Sequence, residues 1–536
     1  MASISSQPIP RKSPLILLLI TNLLCLNDFA VSESNPSPSH FSRFSRQPTH
    51  NAHDEHESEG PSRIGHNKNM KKEFYTLVQE SMNRAIWARS LALNLTISRR
   101  TAPTHVVDPA NDCRELLDDT LDMLSRIFDG RGHSDEDDVH TWLSAALTNQ
   151  ETCKQSLQEK SKFHNHDTTM DFVSRNLSSL LTNSLDLFVS AKAKGRRKLL
   201  SENFPAWVSS STRKLLEAPV EELRVHAVVA TDGSGTHRSV GEALTLAASL
   251  AGSGTSVIHV KAGTYNEHIN IPTKQKNVML VGDGKGKTVI VGSRSNRGGW
   301  TTYQSATVAA MGDGFIARDI TFVNSAGPNA GQAVALRVGA DRAVVYRCSA
   351  EGYQDTLYTH SKRQFYRETD ISGTVDFIFG NSAAVFQSCN IMARKPLSGQ
   401  NNFVTAQGRI SSNQNTGLSI HNCRIGAAES LGGSKTYLGR PWKQYSRTVV
   451  MQSFIDGSIH PSGWSPWSGS FALNTLFYGE YGNSGPGSSV SGRVKWSGYH
   501  PSLTLAEAQG FTVSGFIQGN MWLPSTGVSF DSGLVK

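Results

Sequence analysis

Asp355 and Asp376 are the residues of this 536-residue chain whose placement first suggests chemistry. Each stands seven residues after a marker, Cys348 for the first and Thr369 for the second. If the markers hold equivalent places on successive strands, the two carboxylates are stacked neighbours, about 4.8 Å apart at the spacing of hydrogen-bonded strands. Two carboxylates that close do not both ionise cheaply near neutral pH. Repulsion raises the pKa of one, and a nearby cation keeps the other charged, which separates an acid from a nucleophile. Isolated aspartate pairs are also ordinary turn and surface chemistry, so the claim depends on the elements that hold them.

Those elements read as a solenoid. Cys348, Thr369 and Cys389 lie 21 and 20 residues apart, Ile371 and Ile391 each fall two positions after a marker, and Val345, Tyr366 and Phe386 keep the same spacing. Similar blocks recur at Asp319-Ile320 and Cys423-Arg424-Ile425, where insertions break the strict period. Short β-branched or apolar runs, such as Ser256 to Lys261, Val278 to Val281 and Thr288 to Val291, are bounded by glycine or polar turns. A period of about 20 to 30 residues built on short strands points to coils that bury their apolar positions against neighbouring coils. The alternative is a β-sandwich, which needs no fixed period. The expected fold is therefore mainly β: a right-handed parallel β-helix over 219–536, preceded by an all-α helical bundle.

The bundle is read from helical spacing between Lys71 and Ala191, as in Leu116, Leu117, Leu121, Leu124 and Ile127, and in Leu177, Leu180, Leu181, Leu185 and Phe188. Its expected extent is 66–192. Cys113 and Cys153 sit in separate helical stretches and are candidates for a disulfide stapling two antiparallel helices. Asn94 and Asn176 open N-x-Ser/Thr sequons, candidate glycosylation sites if exposed in the secretory pathway. Ahead of the bundle, Arg11 and Lys12 precede the apolar run Leu15 to Leu26 and the small residues Ala30 to Ser32, which reads as a signal peptide over 1–30. The run is shorter than the roughly 20 residues a spanning helix needs. Residues 31–65, rich in Ser, Pro, His and Asn, read as a flexible linker. A second linker, 193–218, carries the basic clusters Arg196-Arg197-Lys198 and Arg213-Lys214, which are either processing sites or solvated charge.

Hydrophobic residues at 38% and charged residues at 18% fit a globular protein rather than a disordered one. The net charge of +8 favours a polyanionic partner. Zinc-type cysteine pairs, a recurrent basic helix and an aromatic RNA-binding signature are all missing from the sequence, so nucleic acid is not expected as that partner. Of six cysteines, Cys25 would leave with the signal peptide, and the remaining five would mature in an oxidising compartment with at least one unpaired.

The surroundings of the two aspartates are more specific. Asp355 lies in Gly352-Tyr353-Gln354-Asp355-Thr356-Leu357 and Asp376 in Asp376-Phe377-Ile378-Phe379-Gly380. Together with Gly263-Thr264-Tyr265-Asn266-Glu267, Gln332-Ala333-Val334-Ala335-Leu336-Arg337 and Leu438-Gly439-Arg440-Pro441-Trp442, in that order, they make residues 225 to 525 resemble the plant pectin methylesterases. Residues 66 to 192 resemble that family's inhibitor-like pro-region, with much of the match in Asp112-Cys113 through Thr152-Cys153. The resemblance implies that Asp376 is the nucleophile, that Asp355 is general acid and then base, that Gln332 and Gln354 are oxyanion donors and that Arg440 holds Asp376 ionised. It implies substrate contacts at Thr302, Gln332, Phe377, Arg440 and Trp442, the tryptophan offering a flat apolar face to a sugar ring.

The resemblance further implies a monomer that is secreted to the cell wall, needs no metal or organic cofactor and acts on methyl-esterified homogalacturonan. Its partners would be a pro-region inhibiting in cis, separate proteinaceous pectinesterase inhibitors and a protease at the basic sites. Two departures stand out. The family's earlier pro-region disulfide is impossible here, because no cysteine lies between Cys25 and Cys113, and Thr369 replaces a frequent cysteine partner of Cys389. Cys348, Cys389 and Cys423 are therefore expected as buried free thiols. Competing functions are a β-helix glycoside hydrolase, which also uses paired carboxylates, and a non-catalytic wall polysaccharide-binding protein.

Overall fold

The computed structural model describes residues 61–99, 108–128, 135–159, 168–195, 222–249 and 254–535. The expected signal peptide, most of the 31–65 linker and both basic clusters lie outside the described residues.

In the C-terminal half the strands pair in parallel and stack into three sheets of 11, 7 and 8 strands, a parallel β-helix. The seven-stranded sheet positions the aspartates. Its strands are β1 (Ile269–Ile271), β2 (Val308–Ala310), β3 (Leu336–Val338), β4 (Leu357–Thr359), β5 (Ile378–Gly380), β6 (Asn402–Gln407) and β7 (Thr436–Gly439), stacked in that order. The inferred repeat is the register itself. Val345 pairs with Tyr366 and Tyr366 with Phe386, and the series continues through Ile420 to Val450. Inside the coils the Tyr366 and Phe386 rings stack at 4.6 Å between centroids. Each of these coils turns on a non-glycine residue in the left-handed region, namely Asp319, Arg347, Glu368, Ser388, Asn422 and Gln452, with φ from 49° to 60°. That conformation costs an L residue energy, and it persists here because the hydrogen-bonded coils above and below over-determine it.

The markers Cys348 and Cys389, with Cys423 one coil on, are buried free thiols. Thr369 fills the gap in this column, its hydroxyl donating to the Val345 carbonyl at 3.1 Å. Burial, with a smaller push from the charge of Asp319, raises the Cys348 thiol to about 12, which disfavours the thiolate that a nucleophile needs. Two short helices, Leu505–Gln509 and Val513–Ile517, cover part of the outer face of the 11-stranded sheet through Phe511, Val513 and Phe516.

Among the described residues the N-terminal half holds four helices: α1 (Pro61–Arg99), α2 (Pro109–Phe128), α3 (Glu136–Glu159) and α4 (Thr168–Gly195). Helix α1 takes in residues 61–65 of the segment read as linker, with proline at the first position, where its missing N–H costs nothing. The start of α3 carries Glu136, Asp137 and Asp138, which favour the positive end of the helix dipole. Cys113 and Cys153 form a disulfide between α2 and α3, with Cα atoms 4.6 Å apart. Asn94 is exposed on α1 and Asn176 half-buried on α4. Helices and β-helix form one compact unit, Pro61–Lys536, and the apolar core of the bundle continues into Tyr303, Ala309, Val334, Tyr358, Phe379 and Ala406 on the outer face of the seven-stranded sheet.

Candidate active site

Leu357 pairs with Ile378, so Asp355 and Asp376, each two residues earlier, occupy equivalent places at the entry to β4 and β5. Both are in the left-handed region, with φ of 63° and 53°. Strained turns at consecutive coils are what turn these two side chains out of the strand alternation and into one pocket.

That pocket, about 210 Å³, is lined by Thr302, Gln332, Gln354, Asp355, Asp376, Phe379, Ala406, Arg440, Trp442 and Trp467, with Gln155 reaching in from α3. Arg440, just beyond β7, grips Asp376 with two parallel bonds, Nε to Oδ1 and Nη2 to Oδ2, both 2.7 Å. Its guanidinium lies over the rings of Phe403 at 4.0 Å and Trp467 at 4.4 Å, which fix the plane of the fork. The two carboxyl groups are thereby made different. Burial pushes Asp376 up, and Arg440 opposes the rise. Burial pushes Asp355 well above the carboxylate range, and the charges of Asp376 and of Glu159 on α3 add to the push. With one cation for two carboxyl groups, and that cation bound to Asp376, the pair favours the proton on Asp355 and the charge on Asp376. The site thus holds a carboxylate aimed into a cavity beside a carboxylic acid, with the Gln332 and Gln354 side chains lining the same space.

Trp442 packs against Phe379, ring centroids 5.9 Å apart, and a Cβ at Gly408 would stand 2.7 Å from its Cε3, so only glycine allows the indole to lie there. Thr302 lines the pocket, and its amide donates to Glu159 Oε2 at 2.8 Å. Phe377 is the correction. Its side chain is fully buried in the interior of the coils with Ile378 and cannot touch a substrate. The turn at Asp376 shifts the alternation, so two successive residues face inward and the aromatic at the pocket is Phe379. Sequence reasoning also missed Phe403 and Trp467, which stand in no repeat with Arg440.

One face of α3 runs along this sheet. Ser144 O accepts from Gln414 Nε2 at 2.8 Å, Thr148 Oγ1 from Asn381 Nδ2 at 2.8 Å, and Thr152 Oγ1 meets His360 Nε2 at 3.0 Å. Glu151 binds Lys443 at 2.6 Å, and Gln155 and Glu159 follow on the same stripe, at the catalytic end. Helix α2 adds Asp112 to Thr301 at 2.6 Å and Asp119 to the buried Lys362 at 2.7 Å.

Comparison with known proteins agrees with this layout. The pectinesterase family model matches residues 226–520, and the model for plant invertase/pectin methylesterase inhibitors matches 62–187. The chain is 70% identical to probable pectinesterase/pectinesterase inhibitor 16 of Arabidopsis thaliana, over 100% of this chain and 99% of that one. It is 51% identical to pectinesterase 2 of Citrus sinensis, over 86% and 89%. The solved pectin methylesterase from carrot superposes with a TM-score of 0.56 at 53% identity, covering 58% of this chain and 98% of that one. The carrot enzyme thus covers a little over half of the chain, and the helices beside the pocket are matched by the inhibitor model; the chain belongs to the pectinesterase family, in the form that joins an inhibitor-type domain to the esterase.

Proposed function

We propose that this esterase hydrolyses the C6 methyl esters of homogalacturonan through an acyl-enzyme on Asp376. The observation that carries the reading is the unequal pair: Asp376 doubly bonded to Arg440, and Asp355 beside it with its pKa pushed well up. An Asp376 oxygen attacks the ester carbonyl carbon, and the resulting oxyanion lies toward the amides of Gln332 and Gln354. As the C–O bond breaks, Asp355 gives its proton to the departing methoxide, releasing methanol and leaving an anhydride on Asp376. Asp355, now a carboxylate, takes a proton from the water that attacks the acyl carbon, which frees the galacturonate carboxylate and restores both groups. Trp442 and Trp467 supply flat apolar faces for the sugar rings.

The inhibitor-type domain supports a second element of the reading, restraint in cis. Gln155 lines the catalytic pocket, and Glu159 takes the Thr302 amide that a substrate oxygen would otherwise meet. Secretion to the wall and removal of the domain at the basic clusters complete the proposal. The test is methanol released from methylated pectin, with new reducing ends counted in parallel. Methanol without new ends is expected. New reducing ends would mean glycosidic cleavage, and an Asp376→Asn variant that still releases methanol at a normal rate would remove Asp376 as nucleophile.

A further inference from the structure

We propose that a cleft on the seam between the helical domain and the β-helix, away from the catalytic pocket, is a binding site for a sugar acid. The cleft, about 380 Å³, is within the ~300 to 1,000 Å³ range of small-molecule sites. The β-helix contributes Arg409, Arg447 and Gln518 to its wall, and the helical domain contributes Asp137, His140 and Lys192.

Its charges do not balance. Among the described residues Asp137 is the one carboxylate in the lining, and it is bound to Lys192 at 2.5 Å. Among the described residues neither arginine has a carboxylate partner. Arg409 donates from Nε to the Gln414 carbonyl at 2.9 Å and from Nη2 to the Ser412 carbonyl. Arg447 donates from Nε to the Thr416 carbonyl at 2.7 Å and lies over the Phe516 ring at 5.3 Å. Main-chain carbonyls and an aromatic face orient a guanidinium but leave its net charge uncompensated. Burial and mutual repulsion pull the Arg447 pKa well down, and Arg409 falls to about 10. His140 adds no countercharge: its Nε2 donates to the Asn413 carbonyl at 2.7 Å, and burial lowers its pKa. Two desolvated guanidiniums facing one cavity call for an oxyanion.

Gln518 narrows the chemistry. Among the described residues its Oε1 is buried without a hydrogen-bond partner, and the residue is held in the left-handed region at φ 50°. A bare oxyanion would leave that acceptor unsatisfied, whereas a molecule with a carboxylate and hydroxyls satisfies both halves, the carboxylate on the arginines and a hydroxyl donating to Gln518. A hexuronic acid, free or at the end of a short oligomer, has that pattern. Because both domains line the cleft, its occupant binds only the docked state and stabilises docking by linkage.

The test is the thermal midpoint of the full-length chain with D-galacturonate, sodium sulfate or D-galactose at constant ionic strength. Galacturonate is expected to raise the midpoint by at least about 2 °C, more than sulfate, with galactose inactive. Arg447→Gln should abolish the response. Gln518→Leu, which leaves the charges in place, should bring galacturonate down to the level of sulfate. Trp442→Ala, which removes a wall of the catalytic pocket, should leave the response intact. No galacturonate shift, a shift unchanged in Gln518→Leu, or one abolished by Trp442→Ala overturns the site. Equal responses to galacturonate and sulfate in the unaltered chain overturn the sugar-acid assignment.

Discussion

Along the edge where the strands of the seven-stranded sheet begin, Asp355 and Asp376 share a single guanidinium, Arg440. At the other edge, in the turns that leave the strands, Asp313 and Asp341 meet Lys362, Arg126 and Arg363, and the helical domain adds Asp119 and Asp138. Asp341, Asp355 and Asp376 are buried and Asp313 is mostly so, yet their protons behave in opposite ways. Asp341 is held far below the carboxylate range by Arg363, and Asp313 is held down by Lys362 and Arg126, each against the push of burial. Asp355 goes up. Burial alone therefore does not predict titration; the ratio of cations to carboxylates does. One edge is kept short of positive charge, which holds the proton that the proposed reaction needs, and the other is compensated and joins the two domains.

The largest effect expected from disturbing this contrast is at the catalytic edge, where Asp376→Asn should lower methanol release at least about 10⁴-fold. At the locking edge, Lys362→Met leaves Asp119 buried without its cation and should weaken docking by about 3–5 kcal/mol, seen as a rise in methanol release by the uncleaved chain. Pairing it with Asp119→Asn should recover part of that loss, since removing both partners costs less than stranding one. A smaller change follows from Glu159→Gln. The uncleaved chain should keep its docking nearly intact, while Asp355 loses one of the charges that raise it and titrates at lower pH. The smallest is a pH trend. Burial raises Asp112, at the docking face, from 3.8 to about 7, so the docked state holds a proton that a solvated carboxylate has lost. Docking should weaken as pH rises from about 4 to about 7 and then level off, a slope that Asp112→Asn should flatten.

Much of the catalytic edge could be read in advance because a β-helix writes its register into the sequence. Equal offsets from Cys348 and Thr369 placed Asp355 and Asp376 on adjacent coils, and the Val345, Tyr366, Phe386 column emerged as paired residues. Phe377 was misplaced because two-residue alternation fails where a left-handed turn intervenes. The column of left-handed residues was invisible for a different reason: Asp, Arg, Glu, Ser, Asn and Gln share polarity, which any solvent-facing turn has, and otherwise only a backbone role. The locking edge was equally illegible, since Asp119 and Lys362 are 243 residues apart and belong to elements of different period. Local patterns say which face of α3 is polar, but they do not say what it meets.

The Cys113–Cys153 bridge is the one disulfide among the described residues, and it lies wholly within the cap, whereas the catalytic coils carry three thiols and no cross-link. It ties together the two helices that make the principal contacts, α2 with Asp112 and Asp119 and α3 with Gln155 and Glu159. The cap is thus a two-pronged plug whose prongs are riveted to each other and not to the socket. A reducing agent would loosen the prongs while leaving the socket's covalent framework unchanged, so the proposed restraint would be separable from catalysis without cutting the chain.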